Sequence, residues 1–229
     1  MTKTRIQLSD AARLAADLQA EMSPACERIE IAGSLRREER SCGDIEFVII
    51  PKRDPDLYGR PTESKLDPLL QRLVDRRILE RGRKNGDRQK QLIITAGNEL
   101  QCPGLVLELF ICEPATWGVM FAIRTGSADY SHAIVTQRCE GGLLADGHRV
   151  RHGRVWRKGD GEAIADGQAI PTDELLIDGD TWYRVLPTPE EKDVLALAGG
   201  YIQPQLRTRE MVANVRGSRG FAEATGGKR

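Results

Sequence analysis

Two carboxylates two residues apart, Asp44 and Glu46, stand at the entrance of an apolar run, Phe47-Val48-Ile49-Ile50, that stops at Pro51. The run reads as a short buried strand. Alternate side chains of a strand share a face, so Asp44 and Glu46 point one way while Ile45 and Phe47 point the other. Like charges held side by side repel unless a cation lies between them, and hard oxygen ligands of this kind suit Mg²⁺ or Mn²⁺. Upstream, Glu30-Ile31-Ala32 reads as a strand end from which Gly33-Ser34 turns into a polar, helical segment. Backbone N–H groups at such a turn, with Arg36 and Arg37 close by, form a phosphate cradle. Either half alone is an ordinary solvated edge or loop turn. Together, in one supersecondary unit, they are what phosphoryl or nucleotidyl transfer needs.

A second strand, Leu105-Val106-Leu107-Glu108-Leu109-Phe110-Ile111, is interrupted by a single acid. A buried unpaired carboxylate is costly or is forced to protonate, so Glu108 needs a partner. A metal held by Asp44 and Glu46 on a neighbouring strand would supply it.

The stretch from Gly33 to Glu46 resembles the nucleotidyltransferase superfamily, and more narrowly the family X DNA polymerases related to DNA polymerase beta. Their pattern is Gly-Ser-x-Arg-Arg, a short spacer, then Gly-Asp-x-Asp. Gly33, Ser34, Arg36, Arg37, Gly43 and Asp44 match it with the same spacing, and Glu46 departs by one methylene. The resemblance implies that Gly33, Ser34, Arg36, Arg37 and Gly43 bind nucleotide and that Asp44, Glu46 and Glu108 hold two Mg²⁺ ions, with Mn²⁺ able to substitute. Family X enzymes carry a third Asp in a strand a little before Thr-Gly-Ser, and here Thr125-Gly126-Ser127 follows Glu108 at a similar distance. In the relatives that bend lies under the incoming sugar and the next helix packs on the nascent base pair. By resemblance, Thr125, Gly126, Ser127 and Tyr130 join the nucleotide site and His132 touches nucleic acid. The relatives' aromatics are replaced by Ile123-Arg124, and no Asn or Arg stands where template-directed members carry them.

The elements that must position these groups follow from periodicity and punctuation. Ser9 is a good N-cap, and Ala11, Leu14, Ala15, Leu18 and Met22 recur at helical spacing until Ser23-Pro24 stops the run. Residues 51–62 read as a loop, in which Asp54 and Asp56 imitate the acid-x-acid spacing without apolar flanks. From Ser64, Leu66, Leu69, Leu70, Leu73 and Val74 form a second helical stripe. Asn85-Gly86 predicts a type I′ hairpin between residues 81 and 95. Its arms carry Arg81, Arg83, Lys84, Arg88, Gln89 and Lys90, a patch suited to a nucleic-acid backbone or to plain solvation. Pro114 to Ile123 reads as a short helix, and Ser127 caps another ending near Gly141-Gly142. Asp-Gly turns at residues 146, 160, 166 and 178 punctuate a small antiparallel hairpin region. Thr188-Pro189-Glu190-Glu191 reads as a capping box before a helix closed by Gly199-Gly200. Tyr201 to Arg207 resembles the closing sequence of the polymerase thumb. From Gly217 onward the chain reads as disordered.

The expected fold class is therefore α+β: a nucleotidyltransferase palm with a mixed sheet and packing helices over 1–113, a small thumb-like α/β domain over 114–210, and a disordered tail over 211–229. With Gly33 so near the start of the 229 residues, the lyase and helix-hairpin-helix modules of larger relatives are not expected here. Lys+Arg and Asp+Glu are both 34, which argues against tight non-specific DNA binding and for a distributive enzyme. Five scattered cysteines without Cys-x-x-Cys suggest reduced thiols rather than a disulfide framework or zinc site. His148 and His152 read as a surface hairpin. No signal peptide or membrane span is evident, so a cytoplasmic monomer is expected. The implied activity is addition of dNMP from dNTP to a primer 3′-hydroxyl on weakly bound primer-template or gapped DNA, as in gap-filling repair. Template-independent transfer, transfer to RNA or a small acceptor, and an inactive nucleic-acid-binding module are the alternatives.

Overall fold

The computed structural model describes residues 4–58, 61–95, 102–159 and 172–226. The chain is mixed α+β and divides into two units, Met1–Glu113 and Pro114–Arg229.

In the first unit, β1 (Ile6–Gln7) runs into α1 (Leu8–Met22), followed by β2 (Cys26–Ile31), the one-turn α2 (Gly33–Arg36), β3 (Ser41–Cys42) and β4 (Asp44–Pro51). Then come β5 (Arg53–Pro55), β6 (Pro61–Ser64), α3 (Leu66–Asp75), β7 (Leu79–Asn85), β8 (Gln89–Ile94) and β9 (Val106–Ile111). Five of the described strands form a sheet in the order β2-β4-β9-β8-β7. It is antiparallel except for the central β4–β9 pair, so the sheet is mixed.

Strand alternation decides which face is which. Ile45, Phe47 and Ile49 of β4, Leu107, Leu109 and Ile111 of β9, and Leu92 and Ile94 of β8 all enter one core. Leu14, Leu18 and Met22 of α1 and Leu66, Leu69, Leu70 and Leu73 of α3 close that core from above, at the helical spacing read from the sequence. The phase that sends these residues inward sends Asp44, Glu46 and Glu108 to the opposite face. That face turns apolar further along, at Val48, Ile50 and Phe110, which confines the acids to the N-terminal halves of β4 and β9.

Three local expectations in this unit are corrected. Helix α1 starts at Leu8, and Ser9 does not cap it, because β1 pairs with β3 and Leu8 N–H donates to the Arg40 carbonyl instead. Residues 51–62 are not all loop: β5 and β6 pair, and Asp54 is engaged by Lys65 at 2.6 Å. Asp56 accepts from Tyr58 N–H at 2.8 Å. Asn85 is the last residue of β7, not a turn centre. The reversal spans Gly86 to Arg88, with Gly86 N–H bonded to Gln89 O, because a register shift between Arg81 and Asn85 adds length to one arm.

The second unit contains α4 (Trp117–Thr125), α5 (Ala128–Val135), β10 (His148–Arg151), β11 (Arg154–Lys158), β12 (Leu175–Asp178), β13 (Thr181–Leu186), α6 (Glu191–Leu197) and α7 (Arg209–Gly226). The strands form an antiparallel sheet in the order β10-β11-β13-β12. His152-Gly153 makes the β10–β11 turn with both residues at positive φ, the type I′ arrangement, so His152 sits on a surface hairpin. Asp178-Gly179 lies at the β12–β13 turn, and the Asp-Gly steps at 160 and 166 lie outside the described residues. Ser127 caps α5 as expected, its Oγ accepting from Tyr130 N–H at 3.3 Å. However, α5 ends at Val135, where Thr136 turns extended. The capping box before α6 is Glu190 with Asp193, two residues later than Thr188 suggested, because Thr188 is buried and its backbone N–H is bonded to Ala115 O. Helix α7 continues through Gly226, anchored where Val212 is buried and where Arg216 Nε reaches Gly141 O at 2.9 Å.

Candidate active site

Strand β2 ends beside β4, and Ala32 N–H donates to the Glu46 carbonyl at 2.8 Å. The next residue is Gly33, at φ +64°, a conformation that disfavours any side chain. It is also crowded: a Cβ there would overlap Glu46 Oε2 and lie 2.8 Å from Glu46 Cδ. The glycine thus lets the backbone turn lie directly against the acid's carboxylate. Ser34 follows, and its Oγ is buried without a hydrogen-bond partner among the described residues. A buried hydroxyl left in this way calls for a partner, which a bound ligand would supply. Arg36 and Arg37 are half-buried at the end of this turn, and Arg37 Nε lies 3.6 Å from Glu39 Oε1. Gly43, buried, precedes Asp44.

Parallel pairing of β4 and β9 puts Glu46 directly beside Glu108 and Asp44 beside Val106. The two glutamates are therefore cross-strand neighbours on one face, with Asp44 one step away along the same strand. Glu108 is largely buried, and its partners are protein groups. Gln91 Nε2 donates to its Oε1 at 3.0 Å, Gln89 Nε2 to its Oε2 at 3.2 Å, and Lys84 Nζ lies 3.6 Å from Oε1. The electrostatic need read from the sequence is thus met without a metal. Among the described residues, no three His, Cys, Asp or Glu side chains are drawn together into a ready-made metal cage. The donor chemistry still fits a hard divalent cation, because the three acids supply oxygen alone, on one face, beside an orphaned hydroxyl.

The structure brings together Gly33, Ser34, Gly43, Asp44, Glu46 and Glu108 in the first unit. The remaining expected residues fare differently. Lys90 is buried and paired with Asp67 at 2.7 Å, since alternation along β8 turns it to the α3 side; it is unavailable to nucleic acid. Lys84 faces Glu108, while Arg83 and Arg88 are exposed. In the second unit, Thr125 is buried and Tyr130 is fully buried, its ring against Gly126 and under the Arg207 guanidinium at 5.7 Å. Tyr130 is thus a core residue and cannot stack on a base. Burial pushes its phenol above the ordinary value, Arg207 opposing and Glu191 adding to the rise. His132 is exposed, with Nδ1 3.3 Å from Thr136 Oγ1.

Sequence reasoning missed Gln89 and Gln91 as partners of the acid. Their i, i+2 spacing repeats that of Asp44 and Glu46, but only the β8–β9 register, which sets Gln91 opposite Glu108, reveals what they face.

The site and fold together define a class: an α+β protein with an acidic sheet face and a Gly-Ser turn packed onto it. Comparison with models of known protein families and with curated proteins finds no match.

Proposed function

We propose that the chain is a nucleotidyltransferase of the family X DNA polymerase type, its first unit acting as palm and its second as thumb. It adds dNMP from dNTP to a primer 3′-hydroxyl and releases pyrophosphate. The observation that carries this reading is the Gly33-Ser34 turn, which packs against the Glu46 carboxylate and leaves a buried hydroxyl available to a ligand. Asp44, Glu46 and Glu108 would hold two Mg²⁺ ions. Such ions, when bound, lower the pKa of an attacking hydroxyl and neutralise triphosphate charge. Ser34 Oγ donates to a phosphate oxygen and so gains the partner it otherwise lacks. Arg36 and Arg37 add positive charge at the same end of the sheet. With balanced overall charge, DNA is held weakly and released between additions.

One observation favours a second reading, a nucleotide-binding module without turnover: both oxygens of Glu108 are already bonded to Gln89 and Gln91. Labelled dNTPs and rNTPs offered to a primer, with and without template, separate the two. The polymerase reading expects Mg²⁺-dependent extension that Asp44→Asn and Glu108→Gln abolish while both variants keep a cooperative melt. Extension retained by either variant removes the acids from the mechanism. Nucleotide binding without extension establishes the second reading.

A further inference from the structure

The grip on Glu108 is built from the backbone outward. Arg83 N–H donates to Gln91 Oε1 at 3.2 Å, which fixes the orientation of that amide and turns its NH₂ toward Glu108. Gly82 makes the approach possible, because a Cβ there would lie 2.9 Å from both Gln91 Cγ and Gln91 Oε1. Gln89, two residues away on the same face of β8, holds the other carboxylate oxygen. Three adjacent strands therefore converge on one carboxylate. Two neutral donors set its direction, and one cation, the half-exposed Lys84, adds charge.

These contacts do two separable things. The amides restrict how the carboxylate can rotate, which is what outer partners of metal-ligating carboxylates do. Lys84 instead places a positive charge beside Glu108, where any divalent cation must compete with it. On the reading proposed above, we infer that Gln91 and Gln89 are positioning residues for Glu108 as a metal ligand and that Lys84 is a built-in counter-ion opposing metal entry. The two roles carry opposite signs.

The test is Mn²⁺ affinity of the full chain by calorimetric titration, with thermal melting in chelator. Gln91→Leu removes the donor at nearly constant volume and should weaken Mn²⁺ binding by about 10–100-fold. Lys84→Met keeps the stem, removes the charge, and should tighten binding several-fold. In chelator Lys84→Met should melt below wild type, because Glu108 loses its counter-charge. Glu108→Gln, the control, should lose binding and erase the effect of both changes when combined with them. Wild-type affinity in Gln91→Leu and Lys84→Met overturns the positioning scheme alone. Failure of wild type to bind Mn²⁺ overturns the metal reading, and this inference with it. If Gln91→Leu does not fold, Gln89→Leu tests the same role from the other oxygen.

Discussion

Replacing Gly33 by alanine probes the contact on which the functional reading rests. The new Cβ would stand 2.8 Å from Glu46 Cδ and overlap Oε2. Carbon atoms in good contact sit about 3.5–4.0 Å apart, so the carboxylate must withdraw by roughly 1 Å. A shift of about that size in a reacting group costs on the order of 10²-fold in rate. Holding alanine at φ +64° adds about 1–2 kcal/mol of backbone strain. Gly33→Ala should therefore lower primer extension by at least ~10²-fold but unfolding free energy by only a few kcal/mol. The coupling can be isolated by shortening the neighbour. Glu46→Asp draws the carboxylate back by a methylene and makes room for the Cβ. In a double-mutant cycle read by urea unfolding, the pair should be less destabilised than the sum of the singles, by about 0.5–3 kcal/mol. Strict additivity, or wild-type extension by Gly33→Ala, would refute the claim that the turn and the carboxylate act on one another.

Two more outcomes follow from the second core and the half-buried Cys112 thiol. Arg207 is fully buried, bonded to Glu191 Oε1 at 2.6 Å and to Ile202 O at 3.0 Å, so Glu191→Ala should cost about 3–5 kcal/mol in urea unfolding, and Glu191→Leu combined with Arg207→Met less. Burial, opposed by Arg28 and reinforced by Glu113, pushes the Cys112 thiol up to about 12. The folded state thus favours the neutral thiol: its stabilising contribution is complete below the ordinary value of 9.0 and is lost as pH rises toward about 12. At mildly alkaline pH Ellman's reagent should label exposed Cys139 well before Cys112, and Cys112→Ala should flatten the alkaline decline in stability; equal labelling rates would contradict this.

How far such features could be read in advance depends on the range of the interaction behind them. Leu14 with Leu18 and Leu69 with Leu73 announce helix faces, and Asp44-Ile45-Glu46-Phe47 announces a strand with acids on one side. These are periodicities of the local backbone, which the chain carries whatever it packs against. The same is true of the Gly33-Ser34 turn, although its closeness to Glu46 was not visible. Register, by contrast, is a long-range property. Parallel pairing in one particular phase sets Glu108 beside Glu46, and antiparallel pairing sets Gln91 opposite Glu108; a slip of one residue would have turned every one of these side chains to the other face. Lys90 looked like its basic neighbours until β8 paired and turned it to Asp67, and Tyr130 looked available until Arg207 and Gly126 closed over it. Residues 218–226 lack a strong apolar stripe, yet they continue a helix whose first turns are held by Val212 and Arg216. The sequence by itself determined which residues could do chemistry and on which side of their own strand they lie. Tertiary structure alone decided which of them meet, because strand register and burial are settled by contacts between segments far apart in the chain.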